Sequence, residues 1–466
     1  MQEVKVIART FEVGTEHDTD QMNKELTVLS GKAAGVCYMP DDYFENGVQD
    51  EDKALNRAEM TAKSGHHSVY DHGHITFLIK TNKMMAMILN SLGVYTTSEK
   101  SARYTKMQPE TDLELELYNK WRDIIQKLIL EKYPDTDDTM LNTRLCKKLG
   151  VEPVKLVHSG IFCLNKDSSS IIPNEEKLLN ANDILDELKK SETLPSYKLA
   201  MENARYMISV FTPTTMEYTI SFRQAFLTLD YLSKLHIKIS DNNDTFSKKI
   251  VNYVQEFIEE FRGAIGTEIR LRDNKNQHIR FLEAQYLTTD KPEELEDKKE
   301  VIGDSYTLVY EGSLAMLAQA QRHRTLRYTM KLQEPGEIGY YIPAIVRNAG
   351  LEEDWLKDIQ SVAYCIPQGT LVRITEQGIF EDFALKCKER LCGRAQLEVA
   401  KSTEQNLYKF IRNKNELCYS NKRLLDTITQ TFETGENKVC ARCGFKDFKC
   451  TEGCSWGIKG ALTRLI

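Results

Sequence analysis

The chain has 466 residues, of which 41% are hydrophobic and 28% charged, and its formal net charge is -7. This composition is typical of globular proteins and excludes wholesale disorder, and the length predicts two or three domains. The acidic balance argues against a general binder of nucleic acid or of anionic membranes. No run of residues approaches the ~20 apolar positions of a membrane span, and the first residues lack an apolar export signal, so we expect a cytoplasmic protein.

The first hundred residues predict strands and helices around a histidine-rich segment. Alternating apolar residues predict a strand within 3–12, and a helical pattern covers 51–64. The segment Ser64–His74 then gathers four histidines and an aspartate in eleven residues. A strand beginning near Ile75 follows, and after it an apolar helix at Lys83–Leu92.

The middle of the chain is mostly helical in pattern. Residues 110–200 are charged and read as an inserted helical lobe, with amphipathic pieces at 112–133 and 176–190. Further helices are predicted at 197–211, 222–235 and 245–263.

A polar stretch at 266–300 predicts surface loops or a linker. Beyond it a second strand and helix are predicted at Tyr306–Tyr310 and Ser313–Arg324. Three more helical patterns occupy 351–362, 378–392 and 394–412.

A faint internal repeat relates the two halves. Ile75–Gly93 can be laid on Tyr306–Arg324 without a gap, at a constant offset of 231 residues (306 minus 75). The predicted strand and helix boundaries coincide in this alignment. The repeat predicts two similar domains packed as a pseudo-dimer.

The end of the chain concentrates cysteine. Four of the 11 cysteines form a C-x2-C-x6-C-x3-C pattern: Cys440, Cys443, Cys450 and Cys454. Four thiolates on short loops suit tetrahedral zinc, and this favours a reducing compartment with one structural metal site. An iron–sulfur cluster is the main rival, and four free thiols remain the plain alternative.

Three further segments carry candidate chemistry. Arg322, His323 and Arg324 place cationic groups together, which suits a bound anion, although cations also complement a helix C-terminus. The segment Ser98–Tyr104 offers hydroxyls, an acid and an arginine, but taken alone it fits a helix N-cap with an acid in the first turn better. The third segment, Glu389–Glu398, is otherwise an ordinary junction between helices.

Together these segments resemble the flavin-dependent thymidylate synthase family. The matching elements are an R-H-R signature, an S-G-R-Y element, a late R…A-Q-x-E element, a histidine-rich flavin segment and a helix carrying an A-R pair. They correspond here to Arg322-His323-Arg324, Ser101-Ala102-Arg103-Tyr104, Arg390…Ala395-Gln396-Leu397-Glu398, Gly65–His72 and Met201–Phe211 with Arg205. Five elements in the family's order make a stronger match than any one of them.

Neither repeat keeps the whole set. At the offset of 231, Ser91-Leu92-Gly93 stands opposite Arg322-His323-Arg324, and Leu332 stands opposite Ser101. The family builds its nucleotide site from several subunits of a homotetramer. The resemblance therefore implies a fused pseudo-dimer with one composite site and one degenerate site, and a homodimer that forms a pseudo-tetramer.

The resemblance implies an α+β fold and FAD-dependent methylation of dUMP, with NADPH and methylenetetrahydrofolate as co-substrates. It implies Arg390 and Ser101 as catalytic residues. The implied nucleotide-binding residues are Glu99, Ser101, Arg103, Arg205, Gln319, Arg322 and Arg390. The implied flavin-binding residues are His66, Ser68, Asp71, Arg322, His323 and Arg324.

The predicted organisation has three parts: a first synthase-like repeat at 1–265 with the insert at 110–200, a second at 266–415, and a cysteine-rich tail at 416–466. Departures from the family pattern, such as Ala102 in place of glycine and Arg327 in place of serine, leave other substrates open. The alternatives are a flavin enzyme for another pyrimidine nucleotide, a catalytically silent nucleotide-binding regulator, and a nucleic-acid modification enzyme, which the acidity disfavours.

Overall fold

The computed structural model describes most of the chain. The described residues are 2–11, 16, 18–36, 50–64, 66–101, 108–149, 184–266, 305–322, 326–333, 337–412, 433–434, 438–445, 454 and 456–466. Arg103, His323, Arg324 and Cys450, all predicted site residues, lie outside these ranges. So do most of the predicted piece at 176–190 and nearly all of the predicted linker.

Strands and helices alternate irregularly along the first part of the chain. The elements in order are β1 (Glu3–Arg9), α1 (Met22–Val36), α2 (Glu51–Ser64), β2 (His74–Asn82), α3 (Lys83–Leu89), β3 (Thr96–Glu99), α4 (Asp112–Lys132), α5 (Asp138–Leu149), α6 (Pro195–Ala204), β4 (Pro213–Ser221), α7 (Phe222–Ser240) and α8 (Thr245–Ile265).

The second part of the chain contains a further sheet and ends in the tail. Its elements are β5 (Ser305–Ser313), α9 (Leu314–Ala320), β6 (Arg327–Leu332), α10 (Ala344–Asn348), α11 (Glu352–Ser361), β7 (Leu371–Ile379), α12 (Phe380–Arg390), α13 (Leu397–Arg412), β8 (Glu433–Thr434), β9 (Lys438–Val439) and α14 (Gly457–Gly460).

The first sheet is antiparallel, in the order β1-β2-β4-β3. Alternate residues of β2 are fully buried, which is the two-residue period of a strand with one face on a core. Helix α8 covers part of this core, and the Phe77 and Phe261 rings lie 4.9 Å apart. The alternation of apolar residues that predicted β2 therefore corresponds to the buried face of this strand.

The second sheet has the order β5-β7-β6 and the same pairing as three strands of the first. In the first sheet His74 pairs with Ser221, and in the second Ser305 pairs with Ile379. Both strand pairs continue for nine residues. The third strand of each group, β3 or β6, lies on the other side of the central strand. Its pairing begins two residues before the last residue of that central strand, β4 or β7.

The helices after β2 and β5 begin in the same way. Asn82 and Ser313 are their N-caps, and each side chain accepts a hydrogen bond from the backbone N–H three residues on, at Met85 and Met316. These positions differ by the offset of 231 that the sequence repeat predicted. Both strand–helix units thus have the same boundaries in that alignment.

The chain divides into two compact units. The first, here called the sheet unit, comprises Met1–Lys100, Val210–Gly339 and Leu371–Ala384, and contains both larger sheets. The second, the helical unit, comprises Ser101–Ser209, Tyr340–Thr370 and Leu385–Ile466. Its core includes Trp121 and Trp355, whose rings meet edge to face at 4.8 Å.

The predicted α+β class is confirmed, whereas several predicted helix bounds are corrected. The helix predicted at 197–211 ends at Ala204, where a short 3-10 turn follows, and the helix predicted to reach Arg324 ends at Ala320. Strands β4 and β7, each central in its sheet, were not predicted. Among the described helices, none is long and apolar enough to cross a membrane.

Candidate active site

Glu99 is the centre of a polar cluster in the sheet unit. It ends β3, and its side chain is only 7% exposed. Lys83 Nζ donates to Glu99 Oε1 at 2.5 Å, and Thr214 Oγ1 donates to the same oxygen at 3.1 Å. The other carboxylate oxygen lies 4.0 Å from Nη1 of Arg322. Two predicted nucleotide-binding residues from distant parts of the chain thus lie together.

The turn that carries Arg322 is held by contacts of the neighbouring residue, Gln321, with the segment 87–95. Gln321 is buried, and its Nε2 donates to the Met87 carbonyl at 3.2 Å. Tyr95 Oη donates to the Gln321 carbonyl at 3.1 Å. Arg322 itself is exposed, so its guanidinium remains open to a ligand. Its fellow predicted residue Gln319 is half-buried on α9.

The histidine-rich segment divides into structural and exposed side chains. His67 and Tyr70 are buried and hydrogen-bond the carbonyls of Ala62 and Ala58 at 3.0 and 2.7 Å. Burial raises the pKa of Tyr70. His66 and Ser68, both predicted flavin residues, are exposed on the same short 3-10 turn.

Asp71 has a mainly structural environment. Ser221 Oγ donates to its Oδ1 and Arg223 Nη1 to its Oδ2, both at 2.8 Å. Ser221 is also the N-cap of α7. Asp71 therefore ties the histidine-rich segment to the start of α7, and Arg223, which sequence reasoning missed, is part of that link.

A second polar network lies in the helical unit. Arg205 is 4% exposed, and its Nη2 donates to Gln396 Oε1 at 2.5 Å. Gln396 Nε2 in turn donates to Tyr206 Oη, which donates to Glu398 Oε2 at 2.7 Å. Burial and the Glu398 carboxylate raise the pKa of Tyr206 well above its ordinary value. The arginine of the A-R helix thus meets the late A-Q-x-E element.

Arg390 is the last residue of α12 and is half-buried. The backbone turns tightly after it, since Cys392 N–H donates to the Arg390 carbonyl at 2.8 Å and Ala395 N–H to the Cys392 carbonyl at 3.0 Å. Ser101 is also half-buried, at the first position of the helical unit.

Three of the four tail cysteines lie among the described residues. Cys440 is buried, Cys443 is half-buried and Cys454 is exposed. Their three sulfur atoms do not all lie within 4.8 Å of one another. Burial raises the pKa of the Cys440 thiol, and the nearby Cys443 raises it further. The zinc site stays a prediction, because Cys450 lies outside the described residues.

One other group has metal-ligand chemistry among the described residues: Glu110, Glu114 and Cys365. The Glu114 carboxylate is already occupied, however. Its Oε2 accepts the N–H groups of Glu110 and Thr111 at 3.0 and 2.9 Å, and its Oε1 accepts the Ser209 N–H at 2.6 Å. This carboxylate caps α4 in a capping box and has a structural role.

Comparison with known proteins finds a family match within the first half of the chain. Residues 20–237 match the model of the family described as thymidylate synthase complementing protein. The match spans 218 of the 466 residues (237 − 20 + 1), just under half of the chain. The match confirms the family predicted from the motifs and the class of enzyme, a flavin-dependent thymidylate synthase-like protein. It includes Glu99, Ser101 and Arg205, whereas Arg322 and Arg390 lie beyond it.

Two solved structures resemble this chain at low similarity. A UMP/dUMP methylase, PolB from Streptomyces cacaoi, bound with 5-Br dUMP, is 15% identical and covers 49% of this chain and 77% of its own, with a TM-score of 0.25. Thymidylate synthase ThyX from Helicobacter pylori with FAD and dUMP is 16% identical, covering 57% of this chain and 100% of its own, again with a TM-score of 0.25. No curated protein matches the sequence significantly.

Proposed function

We propose that this protein is an FAD-dependent methylase that converts dUMP to dTMP, with methylenetetrahydrofolate and NADPH as co-substrates. The family of residues 20–237 supports the reaction class. The proposed site is composite, drawing the S-x-R-Y side from the first repeat and the R-H-R side from the second.

The approach of Glu99 to Arg322 is the observation that carries this proposal. In the sequence alignment of the two repeats each residue belongs to a motif that the other repeat lacks. The described structure nevertheless brings their side chains within 4.0 Å of each other. This convergence is expected if the two repeats together keep one site. It is not expected if one repeat is an unused copy that has lost its motifs at random.

The matched sheets support an internal duplication. Strands β2, β4 and β3 correspond to β5, β7 and β6 in order and in register, and the following helices have equivalent N-caps. We propose that the repeats form a pseudo-dimer, with boundaries near 1–265 and 266–415, and that two chains pair into a pseudo-tetramer.

The proposed roles follow the chemistry of each side chain. Ser101, Arg103 and Arg205 would bind the nucleotide phosphate, since guanidinium and hydroxyl groups suit a phosphate. Glu99, Gln319 and Arg322 would orient the nucleotide. Arg390 would stabilise negative charge that develops on the uracil ring, because a fixed guanidinium acts there without reorganisation.

The donor set also fits a flavin dinucleotide. The exposed imidazole of His66, the exposed hydroxyl of Ser68 and the exposed guanidinium of Arg322 suit an anionic, pyrophosphate-containing group. His323 and Arg324 would complete the set, and Asp71 would hold the segment in place. The bound flavin supplies hydride to the pyrimidine ring.

The first experiment measures flavin and turnover on the full chain. The purified protein should show flavin absorption, and it should release tritium from 5-tritiated dUMP only when NADPH and methylenetetrahydrofolate are both present. Arg390→Ala should abolish release and leave flavin bound, while Arg394→Ala, at an exposed arginine in the same turn, should retain it. A protein that binds neither FAD nor dUMP would contradict the proposal, whereas release from UMP alone would correct only the substrate.

The proposed tail site is zinc bound by Cys440, Cys443, Cys450 and Cys454. Its support is the spacing of four thiols on short loops. Metal analysis with an assay for labile sulfide distinguishes the two metals. One zinc without sulfide supports the proposal, whereas iron with sulfide and a broad visible absorption identifies the rival cluster.

A further inference from the structure

We propose that the end of the tail is a positioning element for the turn that follows Arg390. The element, here called the C-terminal clamp, consists of Trp456, Arg464 and the backbone of Arg442, and it holds the turn Leu391–Gln396. All of these residues belong to the helical unit. The inference rests on the proposed function only for the role of Arg390.

Trp456 makes the closest packing contact of the clamp. Gly393 lies against the indole so tightly that a Cβ added at this glycine would stand 2.8 Å from Trp456 Cδ1 and 3.2 Å from its Cβ. No real Cβ occupies such a position without displacement of its neighbour. Glycine at 393 therefore allows the backbone of the turn to lie directly on the indole face.

Arg464 holds the same turn by hydrogen bonds. Its side chain is buried, and its Nη2 donates to the Ala395 carbonyl at 2.6 Å while its Nη1 donates to the Ala461 carbonyl. The guanidinium also lies 5.9 Å from the Trp456 ring centroid. A buried guanidinium is costly unless its donors are satisfied, so Arg464 favours the conformation that presents both carbonyls.

The cysteine-rich part of the tail supplies the third contact. The backbone N–H of Arg442 donates to the Leu391 carbonyl at 2.7 Å. Arg442 lies between Cys440 and Cys443 in sequence. The tail thus contacts positions 391, 393 and 395 of one short turn, from segments that are distant along the chain.

The clamp is itself anchored on α4. Tyr133, which follows that helix, packs edge to face on Trp456 with ring centroids 5.0 Å apart, and its hydroxyl accepts the Leu465 N–H at 3.1 Å. On its other side the turn ends at Gln396, which bonds Arg205 and Tyr206. The turn is therefore held between the tail and the buried network of Arg205.

This arrangement bears directly on Arg390. Cys392 N–H donates to the Arg390 carbonyl at 2.8 Å, so displacement of the turn moves the backbone that carries the guanidinium. Displacements of about 1 Å are enough to cost ~100-fold in rate when a group acts by position. The clamp lets the tail set the orientation of Arg390 without touching the nucleotide.

The test uses the full-length protein and two readouts. Trp456→Ala should increase hydrogen exchange in peptides covering 391–396 and lower kcat for tritium release at least tenfold. The KM for NADPH and the flavin content should be unchanged. Trp456→Phe, which restores an aromatic face, should recover most of the rate. Lys459→Ala, at an exposed residue of α14, the short helix that Trp456 precedes, should alter neither hydrogen exchange nor kcat.

Gly393→Ala provides an independent approach to the same contact. Alone it should lower kcat as Trp456→Ala does, but in the Trp456→Ala background it should have little further effect, because the indole it displaces is gone. If Trp456→Ala does not fold, Arg464→Lys, which cannot reach both carbonyls, replaces it. Unchanged exchange, or faster exchange with unchanged kcat, would overturn the proposal. The exchange readout remains valid even if the wild-type protein shows no methylase activity.

Discussion

The carboxylate of Glu99 lies between Lys83 and Arg322, and these two cations come from opposite halves of the chain. Lys83 is the first residue of α3, and Arg322 follows α9, the helix that the repeat aligns with α3. The distances are 2.5 Å to Lys83 Nζ and 4.0 Å to Arg322 Nη1. One buried acid thus lies against a cation at the start of α3 and another just after α9.

Glu99→Gln should weaken the fold by about 3 kcal/mol, because it leaves the largely buried ammonium of Lys83 without its carboxylate. Urea unfolding at pH 7 measures the loss. The double variant Lys83→Met with Glu99→Gln should recover part of it. Glu3→Gln is the matched control, since Glu3 also pairs with two lysines, but at the exposed edge strand. An equal loss in both single variants would contradict the assignment of Glu99 as a buried pair.

Tyr206→Phe should destabilise the helical unit by about 2 kcal/mol, because Gln396 and the buried Glu398 both lose the hydroxyl that joins them. The aromatic contact with Tyr341, at 4.8 Å between ring centroids, is retained in this variant. Chemical unfolding measures the change. Tyr364→Phe, at an exposed tyrosine of the same unit, is the control and should change stability little.

Sequence patterning predicted the elements whose ends carry local signals. The helix predicted at 51–64 has those bounds in the structure, and α3 begins where Asn82 caps it. Strand β4 was missed although alternate residues such as Met216 and Tyr218 are buried. Its other face carries threonine and glutamate, and helical patterns flank it closely. The central position of β4 in its sheet is determined by pairing with other strands, and the spacing of apolar residues along one strand does not indicate its partners.

The site was predictable as a set of residue types but not as a set of contacts. The motifs indicated Glu99, Arg205 and Gln396, yet nothing in the sequence relates Glu99 to Lys83 or Arg205 to Gln396, because such pairs form only when distant elements pack. Trp456 gave no signal at all. The contact that explains it is with a glycine, and a glycine is compatible with many environments.

Tyr218→Phe should change the pH dependence of stability in the alkaline range. Burial raises the pKa of Tyr218 well above its ordinary value near 10, so the folded state keeps a proton that the unfolded chain loses. The stability that this tyrosine contributes is therefore complete below pH 10 and declines as the pH rises further. The variant should lose about 1 kcal/mol at pH 7, since Tyr218 Oη donates to the Leu89 carbonyl, and should decline less between pH 9 and 11. Parallel alkaline slopes for the two proteins would contradict this assignment.

Two glycine-to-alanine substitutions should act in opposite directions. A Cβ at Gly31 would lie 1.8 Å from the Ala54 carbonyl oxygen, so alanine there must push α1 away from α2 and should cost about 3 kcal/mol. A Cβ at Gly263 would meet nothing within 4 Å, and this glycine lies inside α8. Gly263→Ala should therefore stabilise the protein by about 0.5–1 kcal/mol, because alanine loses less backbone freedom in a helix. Thermal and urea unfolding of both variants measure the difference. Equal stabilities of the Gly31→Ala and Gly263→Ala proteins would contradict this prediction, because they would mean that α1 and α2 can separate without cost.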